Sequence, residues 1–139
     1  DARIATSQAK MAASYAGMGL SPDGGTTWLL PRLVTDQVAR RFFLENEIWS
    51  AQQAAELGAI DAIVEEKELI NCAKQLALRW SRWGQHSKES IKHLLDVQST
   101  NDFETHLKHE RTLIEASGQT AAFKEGVSAF LEKREAKFD

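Results

Sequence analysis

The 139-residue sequence predicts a mixed α/β fold weighted toward helix. Three observations carry that prediction. The first twenty residues are rich in Ala, Ser and Gly and alternate weakly, which suits short strands in a tight interior. Ala59-Ile60-Asp61-Ala62-Ile63-Val64 gathers Ile and Val directly after a glycine able to end a helix. Beyond it, apolar residues recur at helical spacing to the charged end of the chain. Two or three short strands cannot form a sheet with two coverable faces, so another chain or a further segment is expected to complete it.

Composition narrows the functional classes. A net charge of -3 and a pI near 5.8 leave no basic footprint, so nucleic acid is not an expected partner. The single cysteine, Cys72, excludes an intrachain disulfide and a cysteine-built metal site, and suits a reducing compartment. No apolar run approaches the ~20 residues needed to span a bilayer. The start, Asp1-Ala2-Arg3-Ile4, has neither signal-peptide anatomy nor an initiator Met, so a processed or excised end is expected. A cytoplasmic protein without a membrane partner is the expectation.

In chain order, Arg3–Thr6 and Lys10–Ala13 are short strand candidates around Ser7-Gln8-Ala9. Thr35 or Asp36 can cap a helix to about Leu44. Ser50 with Gln53 is a capping-box pair for a helix over Ala51–Leu57, which Gly58 ends. A long helix follows from about Glu68 to Trp83, with Leu69, Cys72, Leu76 and Trp80 at helical spacing. Gly84 breaks it, Ser87 or Ser90 can cap the next helix through Val97, and Asn101 or Asp102 starts another. Gly118 separates that one from a last helix over about Thr120–Lys133, with Phe123, Val127 and Phe130 along one side.

The richest stretch for chemistry is Ser21-Pro22-Asp23-Gly24-Gly25-Thr26. Proline restricts the backbone before the acid, and the glycines after it permit conformations that other residues avoid. Asp23 is there either as a helix N-cap or as a rigidly held general acid/base, with Gly24 and Gly25 clearing room for a substrate. Trp28, one helical turn on, and Tyr15 are candidates to line such a pocket, or simply to pack. His106 and His109 share a helical face with Glu110, but Lys108 and Arg111 around them favour a solvated surface over a metal pair, and no metal is expected. Glu132-Lys133-Arg134-Glu135 suits a solvated helix end, where Lys133 could also meet a phosphate.

The run from Gly19 to Arg32 resembles the crotonase (enoyl-CoA hydratase/isomerase) superfamily. Leu44–Asp61, Lys88-Glu89-Ser90-Ile91-Lys92 and Lys124–Arg134 agree with that family in order and spacing, so the resemblance covers essentially the whole chain. It implies the C-terminal half of a spiral βα core over residues 1–66, then a helical trimerisation region over 67–139. The implied substrate is an acyl-CoA thioester of fatty-acid-type metabolism, with coenzyme A as part of the substrate and no separate cofactor. The chain is expected to assemble as a homo-oligomer, a trimer or a dimer.

Asp23 matches the carboxylate used by the family's isomerases and dehalogenases, and Tyr15 stands where hydratases carry a glutamate. Hydration by two glutamates is therefore disfavoured, and the phenylacetate-type isomerase branch is the nearest in pattern. Phe130 and Lys133 match positions that contact the adenosine-phosphate part of coenzyme A across a subunit boundary. Asp1 resembles the Asp that closes the family's oxyanion-hole stretch, which places both oxyanion donors ahead of this sequence. Two expectations result: an isomerase-type protein in which Asp23 shuttles a proton beside the thioester, or a non-catalytic, self-associating helical module derived from such an enzyme.

Overall fold

The computed structural model describes residues 1–138. It forms two compact units, one over Asp1–Lys74 and one from Gln75 through the rest of the described residues.

In the first unit, β1 (Ile4–Thr6) runs parallel to β4 (Ala62–Val64), with Ile4 opposite Ala62. The second strand, β2 (Lys10–Ala12), pairs antiparallel with β3 (Ile48–Ser50), placing Met11 opposite Trp49. The two early strands therefore form where the sequence places them, but neither pairs with the other. The strand expected from Ala59 is shorter. Ala59 and Ile60 both donate their N–H groups to the Ala54 carbonyl, at 2.8 and 3.2 Å, so they close the preceding helix and cannot join a ladder. Three-residue β3 is too short to display alternation, so the sequence carries no strand signal for it.

The helices of this unit follow their caps. The first is α1 (Thr26–Leu33) and the second α2 (Asp36–Leu44), whose Thr35 side chain accepts from Val38 N–H. Ahead of α3 (Ala51–Glu56) the Ser50–Gln53 capping box is complete in both directions. Gly58 then takes a φ of +88°, and a Cβ there would stand 3.0 Å from the Leu33 carbonyl oxygen. Both the left-handed turn and the close approach require glycine.

Ala13, Leu30, Ala39, Phe42, Trp49, Ala54, Ala59 and Ile60 form one buried cluster. Its alanines let backbones approach, while Phe42 fills the centre, with ring centroids 4.1 Å from Trp49 and 5.4 Å from Phe43. Aromatic pairs at such separations add about 0.5–1.5 kcal/mol beyond area burial.

The unit boundary falls within α4 (Leu69–Ser81), which a 3₁₀ turn over Glu66–Glu68 precedes. The second unit contains α5 (Gln85–Val97), α6 (Phe103–Ser117) and α7 (Ala121–Glu132). Asp102 and Thr120 cap α6 and α7, accepting from Thr105 N–H at 2.7 Å and Phe123 N–H at 3.0 Å. Neither Ser87 nor Ser90 caps α5. Gly84 does so without a side chain, because a Cβ there would lie 2.9 Å from the Ala122 Cβ, and packing against α7 selects the glycine.

Beyond α7, Lys133 turns left-handed at φ 55°, and Arg134 forks onto Glu125 at 2.6 and 3.0 Å. Lys137 N–H adds a third hydrogen bond to Glu125, at 2.8 Å. These contacts hold the Glu125 carboxyl down at about 2 and raise the Arg134 guanidinium further.

The histidines depart from the expected solvated face. His106 is mostly covered, and its Nδ1 is buried without a hydrogen-bond partner. His109 stacks on His93 at 5.8 Å, and His86 Nε2 lies 3.4 Å from the Leu113 carbonyl oxygen. Among the described residues no helix is long and apolar enough to cross a membrane.

Candidate active site

The first unit turns sharply between β2 and α1, and the turn sets the site. Tyr15 opens a 3₁₀ turn over Ala16–Met18, its carbonyl accepting from Met18 N–H at 3.0 Å and Leu20 N–H at 2.9 Å. Gly17 N–H donates to Asn46 Oδ1 at 3.1 Å, which ties the turn to the loop before β3. Gly24 and Gly25 then follow one another at φ +59° and +77°, a left-handed pair that side chains disfavour.

That pair decides what Asp23 does. The N-cap of α1 is Gly25, whose carbonyl accepts from Trp28 and Leu29 N–H, both at 2.9 Å. Asp23 contributes only its backbone oxygen, which accepts from Thr26 N–H at 3.1 Å and Thr26 Oγ1 at 2.9 Å. The capping role open to Asp23 in the local sequence is thus taken by Gly25, and no side chain caps α1. Its exposed carboxylate instead accepts a hydrogen bond from the Tyr15 hydroxyl, Oη to Oδ1 3.0 Å.

Beside Tyr15 the surface is concave and mostly apolar, although Asp23 itself lines neither groove. A groove of about 450 Å³ is lined by Tyr15, Leu20, Pro22, Thr27, Pro31 and Phe43, among others. A second, of about 290 Å³, includes Met11, Tyr15, Leu29, Leu33 and Phe43. Tyr15 and Phe43 line both, with ring centroids 6.4 Å apart. A Cβ at Gly24 would meet nothing within 4 Å, so the space beside it is open.

Trp28 is 58% exposed, and the Arg32 guanidinium lies 3.5 Å over its ring while donating to the Trp28 carbonyl at 2.7 Å. Sequence reasoning assigned Arg32 no part. Its i,i+4 spacing from Trp28 was the available signal. Phe130, 82% exposed, and Lys133, the C-cap of α7, belong to the second unit. Among the described residues no group of three or more His, Cys, Asp or Glu side chains could hold a metal ion.

The first unit is thus a small mixed α/β unit with an exposed carboxylate inside a Pro-Asp-Gly-Gly turn. The enoyl-CoA hydratase/isomerase family model matches residues 1–139, and this chain belongs to that family. It is 37% identical over 138 residues to the 1,2-epoxyphenylacetyl-CoA isomerase of Escherichia coli, covering 99% of this chain and 53% of that one. It is 32% identical to the crotonyl-CoA hydratase of Syntrophomonas wolfei, with the same two coverages.

The solved enoyl-CoA hydratase of Polaromonas sp. JS666 superposes with a TM-score of 0.90 at 29% identity, over 100% of this chain and 54% of that one. DspI of Pseudomonas aeruginosa does so with a TM-score of 0.92 at 35% identity, over 100% and 53%. The crotonase-type fold anticipated from the sequence is therefore the observed one, and the chain spans about half the length of the relatives it matches.

Proposed function

We propose that this chain supplies the acid/base half of an acyl-CoA isomerase. Asp23 removes a proton from the α-carbon of a 3-enoyl thioester, the electron pair shifts toward the thioester oxygen, and Asp23 returns the proton at the γ-carbon. The α,β double bond forms as the β,γ bond is lost, so atoms and electrons balance. The observation that carries this reading is the released carboxylate: Asp23 is exposed, relieved of capping by Gly25, and held by Tyr15, whose own side chain lines an apolar groove. The similarity to a named isomerase supports the same direction.

Proton removal beside a thioester also needs donors for the developing oxyanion. On the family resemblance those donors lie in the portion of the relatives that this chain does not span. The test therefore uses the protein carrying this chain together with an oxyanion-hole half. Asp23→Asn should lower isomerisation of a short 3-enoyl-CoA by at least about 100-fold, followed by conjugated-thioester absorbance. Near-normal turnover would sink the role. Phe130 and Lys133 are proposed to contact the coenzyme A portion, and Gly24 and Trp28 to border the acyl group.

A second reading, a self-associating module without catalysis, is favoured by the exposed apolar side chains of the second unit, including Phe103, Ile114, Phe130 and Leu131. Titration with coenzyme A and a short acyl-CoA separates the two. Binding supports the enzyme, and concentration-dependent association without binding supports the module.

A further inference from the structure

The geometry points to Tyr15 as the residue that positions Asp23, a role distinct from contacting the acyl group. This inference rests on Asp23 being the proton carrier. The Tyr15 hydroxyl makes the one side-chain hydrogen bond of the Asp23 carboxylate among the described residues, at 3.0 Å to Oδ1. Asp23 needs such a partner. It sits on an exposed turn, flanked by a glycine pair that offers no side chain to hold it.

Tyr15 itself is anchored at both ends. Its backbone carbonyl carries two hydrogen bonds of the turn, and its ring faces Phe43, which packs edge-on against Phe42 in the buried cluster. A row of rings, Tyr15–Phe43–Phe42–Trp49, thus runs from the carboxylate to the core. With Oδ1 committed to the hydroxyl, Oδ2 is the oxygen left to accept a carbon-bound proton and deliver it to the second carbon. The fixed oxygen limits rotation of the carboxylate, so the same lone pair serves both positions. Hydrogen bonds to ionised groups are among the stronger ones, and held geometry is a direct contribution to rate.

The experiment compares Tyr15→Phe with Asp23→Asn in the protein carrying this chain and an oxyanion-hole half, using a short 3-enoyl-CoA. Tyr15→Phe keeps the ring on Phe43 and removes only the hydroxyl. The expected result is a kcat lowered by about 10- to 100-fold with KM unchanged. Wash-in of solvent deuterium at the α-carbon should fall in the same proportion. A kcat within about twofold of the parent overturns the inference, and so does a raised KM with kcat unchanged, which marks Tyr15 as an acyl-binding residue. Full turnover by Asp23→Asn removes the reading beneath it and is distinguished by that variant alone. Circular dichroism and thermal unfolding of Tyr15→Phe should match the parent. If the variant is unfolded, Tyr15→His, which keeps a ring donor, serves as the second variant: at least partial kcat relative to Tyr15→Ala supports positioning, and no difference between them overturns it.

Discussion

The first unit holds a buried apolar cluster, from Ala13 to Ile60 around Phe42 and Trp49, while Met18, Leu20, Leu44 and Ile48 stay exposed on it; in the second the buried side chains among the described residues are Ser90 and Ala129. Phe103, Ile114, Phe130 and Leu131 there stand 70–82% exposed. The first unit is thus shaped by a core that reaches out through aromatic rings to the site. The second is shaped by local devices: the Asp102 and Thr120 caps, the Gly84–Ala122 contact and the Glu125–Arg134 fork. The contrast teaches where each part is vulnerable. A rigid carboxylate needs a packed support, and a helical surface with outward apolar residues offers itself for covering.

Core and surface replacements put that contrast at risk most directly. Phe42→Ala should cost about 3–5 kcal/mol in denaturant unfolding, since Phe42 is 4% exposed between two rings. Phe103→Ala, on a side chain 78% exposed, should stay within about 0.5 kcal/mol for the monomer. Equal costs would erase the distinction between the units. Association is the next measure. The chain should form a dimer or trimer by light scattering, and Phe130→Asp should weaken it while leaving helical circular dichroism intact; a parent that stays monomeric at high concentration would count against covering of this surface.

Smaller effects sharpen the same contrast. Ser50→Ala removes one arm of the capping box, and about 1 kcal/mol of stability should go with it. The smallest expected change is with pH, in the second unit. The fork from Arg134 holds the Glu125 carboxyl at about 2, below the ordinary 4.5, so its contribution is complete above about 4.5 and is lost as pH falls toward about 2. Protection of the Lys137 amide against exchange, relative to a free amide at the same pH, should hold through pH 5 and fall between about 4 and 2, since Lys137 N–H donates to Glu125. Loss already at pH 5 would show that the fork does not hold this segment.

Much of this chain was legible locally because caps act across three residues. Thr35, Ser50 with Gln53, Asp102 and Thr120 each begin the helix their sequence announces, and Gly58 ends one. The ordered blocks from Gly19 to Arg134 were enough to name the family. Pairings that join distant residues were not legible. Ile4 meets Ala62 and Met11 meets Trp49 through contacts no local pattern encodes, and β3 exists only because β2 is there to pair with it. Gly84 starts α5 for the same reason, a neighbour on α7.

The Pro22-Asp23-Gly24-Gly25 turn shows both sides. Sequence by itself determined that an acid would sit rigidly before a helix, since proline and glycine restrict or free the backbone wherever they occur. Only the tertiary structure decided that Gly25 caps the helix and that the freed carboxylate meets Tyr15, eight residues back in the chain and fixed by Phe43 from another helix. The direction of a side chain depends on what packs behind it, and that is a property of the folded unit.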